Sequence, residues 1–376
     1  MSVFKTSKEI IEELIRLADI KINGDRPWDI QIKNEKFFNR VARYGSLGLG
    51  ESYMDGWWEC DNLDQFFYKV LKTRLDHEIK KSWRVIMMGI RARAFNLQKG
   101  KRAFQIGERH YDTGNDLFMN MLDKRMTYTC GYWENAKNLD EAQEAKLDLV
   151  CKKLGLKPGQ RILDIGCGWG SFIKFAAEKY KLKAVGITVS KEQTELGKKL
   201  CNGLPVEIRL QNYRNVNVNE KFDHIVSLGM FEHVGVKNYR DYFKVVRRCL
   251  KEDGLFLLHT IGSINLENKP DPWTEKYIFP NSIVPNAKNI IEASNGLLVI
   301  EDWHNFGADY DPTLMAWFEN FAKSWPKLKS NYSERFYRMW KYYLLACAGG
   351  FRARTSQVWQ IVFSKESVPG GYKSVR

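Results

Sequence analysis

Short apolar runs alternate with segments of helical spacing through the middle of the chain. After the Pro158-Gly159 turn, each run is rich in β-branched residues and is followed by a longer stretch with apolar residues three or four positions apart. This alternation predicts an α/β fold with a doubly wound, mainly parallel sheet. The predicted strands cover 161–165, 183–187, 206–210, 223–228 and 255–261, and the predicted helices cover 139–154, 172–180, 191–201 and 239–250.

The pattern becomes less regular towards the end of the chain. The closing strand is predicted as either an edge strand or an inserted antiparallel strand of the same sheet. The predicted segments are an irregular insert at 262–285, a strand at 297–302, helices near 313–325 and 333–349, and the closing strand at 355–364.

Residues 1–100 have a different character, because they are rich in aromatic residues and lack the strand and helix alternation. The spacing of apolar residues between Ile10 and Ile15 predicts an amphipathic helix. The glycines at 45, 48 and 50 predict a loop. We therefore predict two domains, a smaller, mainly helical one over 1–100 and a second one over 101–376.

Composition adds a charge signal. The chain carries 59 Lys or Arg against 45 Asp or Glu, a net charge of +14, and the segment Lys69–Arg102 alone holds eleven basic and two acidic residues. Apolar residues such as Trp83 and Phe95 interleave with these basic residues, as in an amphipathic helix at a lipid surface. The alternatives are a solvated linker helix and a nucleic-acid contact, and of the three we favour membrane contact.

Location and redox state follow from what the sequence lacks. Its apolar runs are far shorter than the about 20 residues that cross a bilayer, and the N-terminus has no uninterrupted apolar core of a secretion signal. A cytoplasmic location is therefore predicted. The seven cysteines form no CxxC pair, so we predict reduced thiols and no metal site.

A glycine-rich turn follows the first predicted strand. The segment Asp164–Gly170 reads DIGCGWG and lies between a strand and a helix, where glycines allow a sharp turn and the close approach of a ligand. An acidic residue just before the glycines attracts a cation and repels a pyrophosphate. The turn therefore resembles the first motif of the S-adenosylmethionine (SAM) dependent methyltransferases and differs from a dinucleotide site.

Polar residues follow the next two strands. The segments Thr188–Gln193 and Gln211–Tyr213 offer hydroxyl and amide groups that could bond the ribose, methionine or adenine parts of SAM. For each of these residues taken singly, a helix cap or a turn is an equally good interpretation.

Five further stretches occur with these motifs, in order along the chain. They are GERHYDTGND (107–116), MTYTCGYW (126–133), GMFEHVG (229–235), LHTIG (258–262) and YDPTLMAW (310–317). Together with DIGCGWG and TVSKEQ they resemble the two-domain, bacterial form of the cyclopropane-fatty-acyl-phospholipid synthases, which are related to the mycolic acid cyclopropane synthases. The resemblance implies a SAM-dependent methyltransferase (Rossmann-like) catalytic domain and an N-terminal domain that docks on lipid. It also implies methyl transfer from SAM to the cis double bond of a phospholipid acyl chain, with closure to a cyclopropane ring.

The same resemblance implies roles for individual residues. In this family a bicarbonate ion is the base that deprotonates the carbocation, and the matching residues are Cys130, Glu232, His259, Ile261 and Tyr310. Cys347 is a further active-site candidate with no obvious step in this chemistry. The residues that match the SAM site are Tyr128, Thr129, Asp164, Gly166, Cys167, Gly168, Gly170, Thr188, Val189, Ser190, Lys191, Glu192, Gln193, Gln211, Asn212 and Tyr213. The chain departs from the family at Thr129, where Ser is common, and at Asn212, where Asp is frequent.

Several alternatives stay open. Without the resemblance, Glu232 and His259 are by default hydrogen-bonded core or cap residues, Cys347 is a small buried hydrophobe, and Trp317 and Phe318 either line an acyl channel or pack a helix. The rival functions are a methyltransferase for a soluble or RNA substrate, a lipid methyltransferase that makes a methyl or methylene branch, and a non-catalytic membrane-binding protein. We favour cyclopropane synthesis by a homodimer that associates peripherally with anionic lipid at the inner face of the cell membrane.

Overall fold

The computed structural model describes residues 6–73, 114–266 and 270–376. Most of the basic segment Lys69–Arg102 and of the stretch 107–116 lies outside the described residues, so the predictions made for them stay predictions. The helices are α1 (Ser7–Leu17), α2 (Lys36–Tyr44), α3 (Ser46–Met54), α4 (Leu63–Lys72), α5 (Asn115–Met121), α6 (Leu139–Lys153), α7 (Ser171–Tyr180), α8 (Lys191–Leu200), α9 (Tyr239–Cys249), α10 (Pro272–Tyr277), α11 (Ala287–Ser294), α12 (Tyr310–Leu328) and α13 (Glu334–Arg352). The strands are β1 (Gln31–Ile32), β2 (Trp58–Glu59), β3 (Arg161–Ile165), β4 (Lys183–Thr188), β5 (Val206–Leu210), β6 (Phe222–Leu228), β7 (Leu250–Ser263), β8 (Val299–Asn305) and β9 (Ser356–Ser364). Across these residues, no helix combines the length and the apolar character that crossing a bilayer requires.

The chain divides into two compact units. The predicted domain boundary at residue 100 lies outside the described residues, so the division into 1–100 and 101–376 stays a prediction, as does the homodimer. The first unit contains Met1–Met121, Pro270–Pro280 and Leu314–Thr355, and the second contains Leu122–Lys269, Asn281–Thr313 and Ser356–Arg376.

The first unit is mainly helical and has an aromatic core. Helix α1 begins at a capping box, in which Thr6 Oγ1 accepts the N–H of Glu9 and the Glu9 carboxylate accepts the N–H of Thr6. The amphipathic helix predicted around Ile10–Ile15 is therefore confirmed. Buried aromatic rings fill the unit, and the ring of Trp58 packs within 5.3 Å of both Tyr53 and Phe66.

The loop predicted from the glycines at 45, 48 and 50 is wrong. Gly45 joins α2 to α3 with a φ of 57°, but Gly48 and Gly50 lie inside α3. A Cβ on Gly48 would lie 2.3 Å from the carbonyl oxygen of Arg40, and a Cβ on Gly50 would lie 2.3 Å from Cδ1 of Trp273. These two glycines therefore allow close packing of neighbouring segments.

The second unit contains a seven-stranded sheet with the order β5-β4-β3-β6-β7-β9-β8. Strands β5, β4, β3, β6 and β7 are parallel to one another, and β9 runs antiparallel to both β7 and β8. The closing strand is therefore an inserted antiparallel strand, the second of the two predicted alternatives. The irregular insert predicted over 262–285 is partly wrong, since its first two residues belong to β7 and it contains helix α10.

Helices cover both faces of this sheet. Successive residues of a strand point to opposite faces, and Leu163 packs in a core with residues of α9 and α11, whereas Ile162 packs in a second core with residues of α6 and α7. The predicted doubly wound fold is therefore confirmed. In such a sheet ligands bind at the carboxyl ends of the parallel strands, which is where Asp164, the glycine turn and Glu232 lie.

Candidate active site

The glycine turn lies at the carboxyl end of β3. Gly166, Gly168 and Gly170 have φ angles of 90°, 55° and 86°, in the left-handed region that favours glycine. The N–H of Gly166 donates to the carbonyl oxygen of Ile187 on β4 at 2.9 Å. A Cβ on Gly166 would lie 2.5 Å from Cβ of Met230, whereas a Cβ on Gly168 would meet no atom within 4 Å. The turn is therefore fixed to β4 and has open space at Gly168.

Asp164 is buried just before this turn. Asp164 is 2 % exposed, and its Oδ1 is buried with no hydrogen-bond partner among the described residues. Burial raises the pKa of Asp164 to about 7, although the Lys146 ammonium opposes the shift. A buried carboxylate without a partner is suited to a cationic ligand, which supplies the missing charge. In the turn itself, Cys167 is a buried thiol whose pKa burial raises well above its usual value.

The polar residues after β4 bond mainly to one another. Thr188 Oγ1 donates to Gln193 Oε1 at 2.8 Å and accepts the N–H of Ser190 at 3.2 Å. Ser190 Oγ accepts the N–H of Gln193 and caps α8. The cap interpretation is therefore confirmed for Ser190, and ligand contact in this turn stays a prediction. The exposed residues of the turn are Val189, Lys191 and Glu192.

The turn after β5 is built in the same way. Asn212 Oδ1 accepts the N–H of Arg214 at 3.0 Å and caps a short 3-10 helix, and the Gln211 amide donates to a backbone carbonyl of the same turn. The ring of Tyr213 is buried and packs edge-on against Tyr242, with 5.2 Å between the centroids. Contact of these residues with adenine stays a prediction.

Glu232 lies in a short helical turn, Phe231–His233, directly after β6. Its Oε1 accepts the N–H of Ile261 on β7 at 2.7 Å, whereas Oε2 is buried and has no partner among the residues that the structure describes. Burial raises the pKa of Glu232, and the N–H of Ile261 and the hydroxyl of Thr260 oppose that shift. The backbone of β7 therefore fixes one carboxylate oxygen, and the other is the one that a ligand could bond.

His259 lies two residues before Ile261 on β7, so both residues point to the same face of the sheet. The His259 ring is buried, and its Nδ1 lies 3.4 Å from Nε2 of Gln360 on β9. Gln360 Oε1 is buried and bonds to no described residue. Burial and the charges of Lys146 and Lys153 hold the pKa of His259 well below its usual value, so the ring is neutral at pH 7.

Cys130 and Tyr310 lie in segments that Thr313 joins. The N–H of Gly131, next to Cys130, donates to Thr313 Oγ1 at 3.1 Å, and Thr313 lies one turn after Tyr310 in α12. Both Cys130 and Tyr310 are buried. Burial raises the pKa of the Cys130 thiol well above its usual value, so the thiol is neutral, and its S–H donates to the carbonyl oxygen of Gly131 at 3.2 Å.

Phe306 lies between His259 and the segment that contains Cys130. Its ring lies 5.7 Å from the His259 ring and 5.5 Å from the ring of Tyr132, which is two residues after Cys130. Phe306 therefore contacts His259 and the segment that contains Cys130, and a shared anion site for the five residues stays a prediction.

Cys347 lies on α13 in the other compact unit. Burial raises the pKa of its thiol to about 12, and Asp271 adds to the shift. A neutral thiol is a weak nucleophile, so a catalytic role for Cys347 gains no support. In the same unit Trp317 is fully buried and Phe318 partly buried, which leaves both interpretations of these two residues open.

The structure adds residues that sequence reasoning missed, chiefly Gln143 and Lys146 on α6, and Gln360 on β9. Gln143 and Lys146 are fully buried and hydrogen-bond to Thr129. The sequence does mark the two residues of α6, because they share the helix face of Leu139 and Val150. Polar residues at such apolar positions are buried only when they have hydrogen-bond partners. For Gln360 the sequence carried no comparable signal, because its partner is 101 positions away.

A doubly wound sheet with a glycine turn and a buried acid at the carboxyl end of β3 defines the class of SAM-dependent methyltransferases. The family model for mycolic acid cyclopropane synthetase matches residues 98–361 of the chain. The chain therefore belongs to the mycolic acid cyclopropane synthetase family and is an enzyme of the methyltransferase class.

Individual relatives agree with this assignment. The cyclopropane-fatty-acyl-phospholipid synthase of Escherichia coli K12 is 55% identical over 367 residues, which are 98% of this chain and 95% of that protein. Cyclopropane mycolic acid synthase 2 of Mycobacterium leprae is 33% identical over 68% of this chain and 92% of its own length. The structure of the mycolic acid cyclopropane synthase CmaA1 complexed with SAH and CTAB has a TM-score of 0.64 at 32% identity and covers 71% of this chain and 99% of that one. The resemblance to cyclopropane-fatty-acyl-phospholipid synthases is therefore confirmed.

Proposed function

We propose that this enzyme transfers the methyl carbon of SAM to the cis double bond of unsaturated acyl chains in membrane phospholipids and closes a cyclopropane ring. The similarity to the Escherichia coli synthase over almost the whole chain supports the substrate class. The observation that carries the chemistry is Glu232, a buried carboxylate with one oxygen fixed by Ile261 and the other without a partner among the described residues, on the same sheet edge as the neutral ring of His259.

The SAM side of the proposal rests on charge and space. SAM carries a sulfonium and an ammonium, and Asp164 is a buried carboxylate whose Oδ1 has no partner among the described residues. The open space at Gly168 allows a ligand to approach the backbone of the turn. We assign Asp164 to the cationic groups of SAM and the glycine turn to the close contact beside it.

The reaction itself places strict demands on the site. The electrons of the alkene form the new C–C bond as the S–C bond of SAM breaks, which releases S-adenosylhomocysteine and leaves a carbocation on the acyl chain. Loss of a proton from the transferred methyl group frees the electron pair that closes the ring. An alkene is a weak nucleophile and the cation reacts with water, so reactants must be aligned in a dry pocket. The buried side chains of Phe306 and His259 are consistent with such a pocket.

The residues around Glu232 fit a bicarbonate ion, which when bound supplies the base for that proton. Bicarbonate has one hydroxyl that needs an acceptor and two oxygens that need donors. Glu232 Oε2 is a buried acceptor without a described partner, and the phenol of Tyr310 is a donor. The neutral thiol of Cys130 is a second donor once it turns away from the carbonyl oxygen of Gly131. His259 and the backbone of Ile261 complete the proposed site by fixing the orientation of the ion and of Glu232.

Product analysis tests the proposed function. The purified enzyme with SAM and vesicles of unsaturated phospholipid is expected to yield acyl chains one methylene heavier that have lost the alkene signal and gained cyclopropane proton resonances. A product of the same mass that keeps an alkene signal would indicate the methyl- or methylene-branched alternative. Absence of any lipid product, with SAM bound, would contradict the proposal.

We also propose that the basic segment Lys69–Arg102 docks the enzyme on anionic bilayers, because its net charge of +9 is mixed with apolar residues. Binding to anionic vesicles is expected to weaken with salt and to be much weaker on neutral vesicles. Each basic residue near an anionic surface contributes about 1 kcal/mol, so losing the basic charges of Arg91, Arg93, Lys101 and Arg102 should weaken vesicle binding on the order of a thousandfold. Reversing these charges adds repulsion and should weaken the binding further.

A matched variant separates local from total charge. Reversing the four exposed lysines 181, 183, 198 and 199 changes the net charge equally, and it is expected to weaken vesicle binding far less. Both variants should bind SAM like the wild type. Vesicle binding that does not depend on salt concentration would refute docking through this segment. An equal loss of vesicle binding in the two variants would also refute it.

A further inference from the structure

Helix α6 directs two buried polar side chains at Thr129. Gln143 and Lys146 lie three residues apart, so they share a face of the helix, and both are fully buried. Gln143 Nε2 donates to the carbonyl oxygen of Thr129 at 2.8 Å, and Lys146 Nζ donates to Thr129 Oγ1 at 2.6 Å. On its other side the Thr129 methyl packs on the end of β6, since a Cβ on Gly229 would lie 2.6 Å from Thr129 Cγ2. The Thr129 side chain is therefore held in one orientation.

The contact with Lys146 decides what the Thr129 hydroxyl can do. Burial lowers the pKa of Lys146 to about 8, so at pH 7 its side chain is mostly an ammonium group, which only donates. The hydroxyl therefore accepts from Lys146, and its own hydrogen must point elsewhere. No residue in the described part of the chain accepts that hydrogen within hydrogen-bond distance. A hydroxyl that accepts from a buried cation is a stronger donor, because hydrogen bonds in a chain polarise one another. Its natural partner is an anionic oxygen.

A group suited to a positively charged ligand atom lies in the same region as Thr129. Asp164, whose Oδ1 has no described partner, is close enough to Lys146 for their charges to interact, and Lys146 also acts on the thiol of Cys130. A buried carboxylate beside a donor supported by a buried cation matches the ammonium and carboxylate of an amino acid. The methionine part of SAM has both groups.

We propose that Lys146 is a positioning residue that holds the Thr129 hydroxyl as a donor to a carboxylate-type oxygen of the bound reactants. This inference rests on the proposed function, because SAM and bicarbonate are the two sources of such an oxygen. The SAM carboxylate is the source we favour, because Asp164 is suited to the ammonium next to it.

The test compares two ligands that differ only in the amino-acid part. S-adenosylhomocysteine keeps the carboxylate and ammonium, whereas 5′-methylthioadenosine lacks both. By calorimetry, Lys146→Met is expected to weaken the binding of S-adenosylhomocysteine about 10- to 100-fold, which is the effect of one charge-assisted hydrogen bond. The affinity for methylthioadenosine is expected to change less than twofold. Thr129→Val should reproduce that pattern, and adding Lys146→Met to Thr129→Val should have little further effect.

Lys153→Met is the matched control. Lys153 is a second buried lysine on α6, but its Nζ contacts His304 at 3.0 Å, so the relative affinity for the two ligands should stay at the wild-type value. Thermal unfolding checks that each variant is folded, and if Lys146→Met is not, the result for Thr129→Val decides.

The outcomes separate this inference from the proposed function. Wild-type protein that binds neither ligand would contradict the proposed function and this inference with it. Wild-type binding with no change in relative affinity and no change in the bicarbonate requirement of Lys146→Met or Thr129→Val, or with equal weakening of both ligands, would overturn the role of Lys146 alone. Unchanged ligand affinities with a bicarbonate requirement raised tenfold or more in both variants would support the donor and assign it to bicarbonate.

Discussion

Glu232→Gln is expected to lower turnover by about 10- to 150-fold while SAM affinity stays at the wild-type value. The substituted Gln has a single side-chain oxygen. That oxygen should take the position of Oε1, because the N–H of Ile261 needs an acceptor there. The amide nitrogen of the substituted side chain then occupies the position of Oε2 and presents a donor where the carboxylate presented an acceptor. A charge-assisted hydrogen bond contributes about 1.5–3 kcal/mol, which gives that range of rates if the bond acts mainly in the transition state.

Bicarbonate dependence makes this result specific. In decarbonated buffer the wild-type activity should fall and recover when bicarbonate is added, and Glu232→Gln should need a higher concentration for half-maximal recovery. Tyr239→Phe serves as the control, because Tyr239 lies close to Glu232 but donates to the carbonyl oxygen of Ile283, and its turnover should stay within about twofold. Unchanged turnover of Glu232→Gln at every bicarbonate concentration would refute the anion site.

Much of the catalytic unit could be predicted from the sequence, because its signals are local. Strands β3 to β6 are short β-branched runs next to helices with apolar periodicity, and the glycine turn follows β3 directly. Once the parallel order was predicted, the carboxyl ends of the strands were the expected position of Asp164, Glu232 and His259. The sequence motifs and the predicted fold therefore place these three residues at the same end of the parallel strands.

The rest depends on contacts between distant residues. Whether β9 is an edge or an inserted strand depends on its pairing with β7 and β8, which its own sequence does not encode. Gly48 and Gly50 looked like a loop because their close neighbours, Arg40 and Trp273, are known only from the fold. The state of Asp164 could not be predicted either, since its raised pKa results from burial, which the charge of Lys146 offsets only in part.

Asp164→Asn is expected to make the free protein more stable and to weaken SAM binding strongly. The pKa of Asp164 is raised from 3.8 to about 7, so the native state holds its proton more tightly than the unfolded state does. The free energy of unfolding is therefore highest, relative to the neutral Asn variant, below about pH 4, falls as the pH rises to about 7, and then stays level. About three pH units correspond to about 4 kcal/mol, and this figure already includes the attraction to Lys146, which lowers the pKa of Asp164.

SAM affinity should show the opposite pH dependence. A cationic ligand prefers the ionised carboxylate, so wild-type affinity is expected to rise up to tenfold per pH unit as the pH approaches 7 and to level off above it. Asp164→Asn should bind SAM weakly at every pH in this range. Calorimetry at about six pH values between about 5.5 and 8.5, with denaturant unfolding at the same pH values, measures both effects.

Asp123→Asn is the control for these two measurements. Asp123 is also buried and its pKa is also raised, but its oxygens accept the N–H groups of Thr127 at 2.7 Å and Arg125 at 2.9 Å. An amide cannot accept at both positions, so this variant should lose stability by about 1–3 kcal/mol, and SAM affinity should keep its rise towards pH 7. A loss of stability in Asp164→Asn as well would mean that the carboxylate already has a partner in the free protein, and Asp164 would then not be the site that a cation completes.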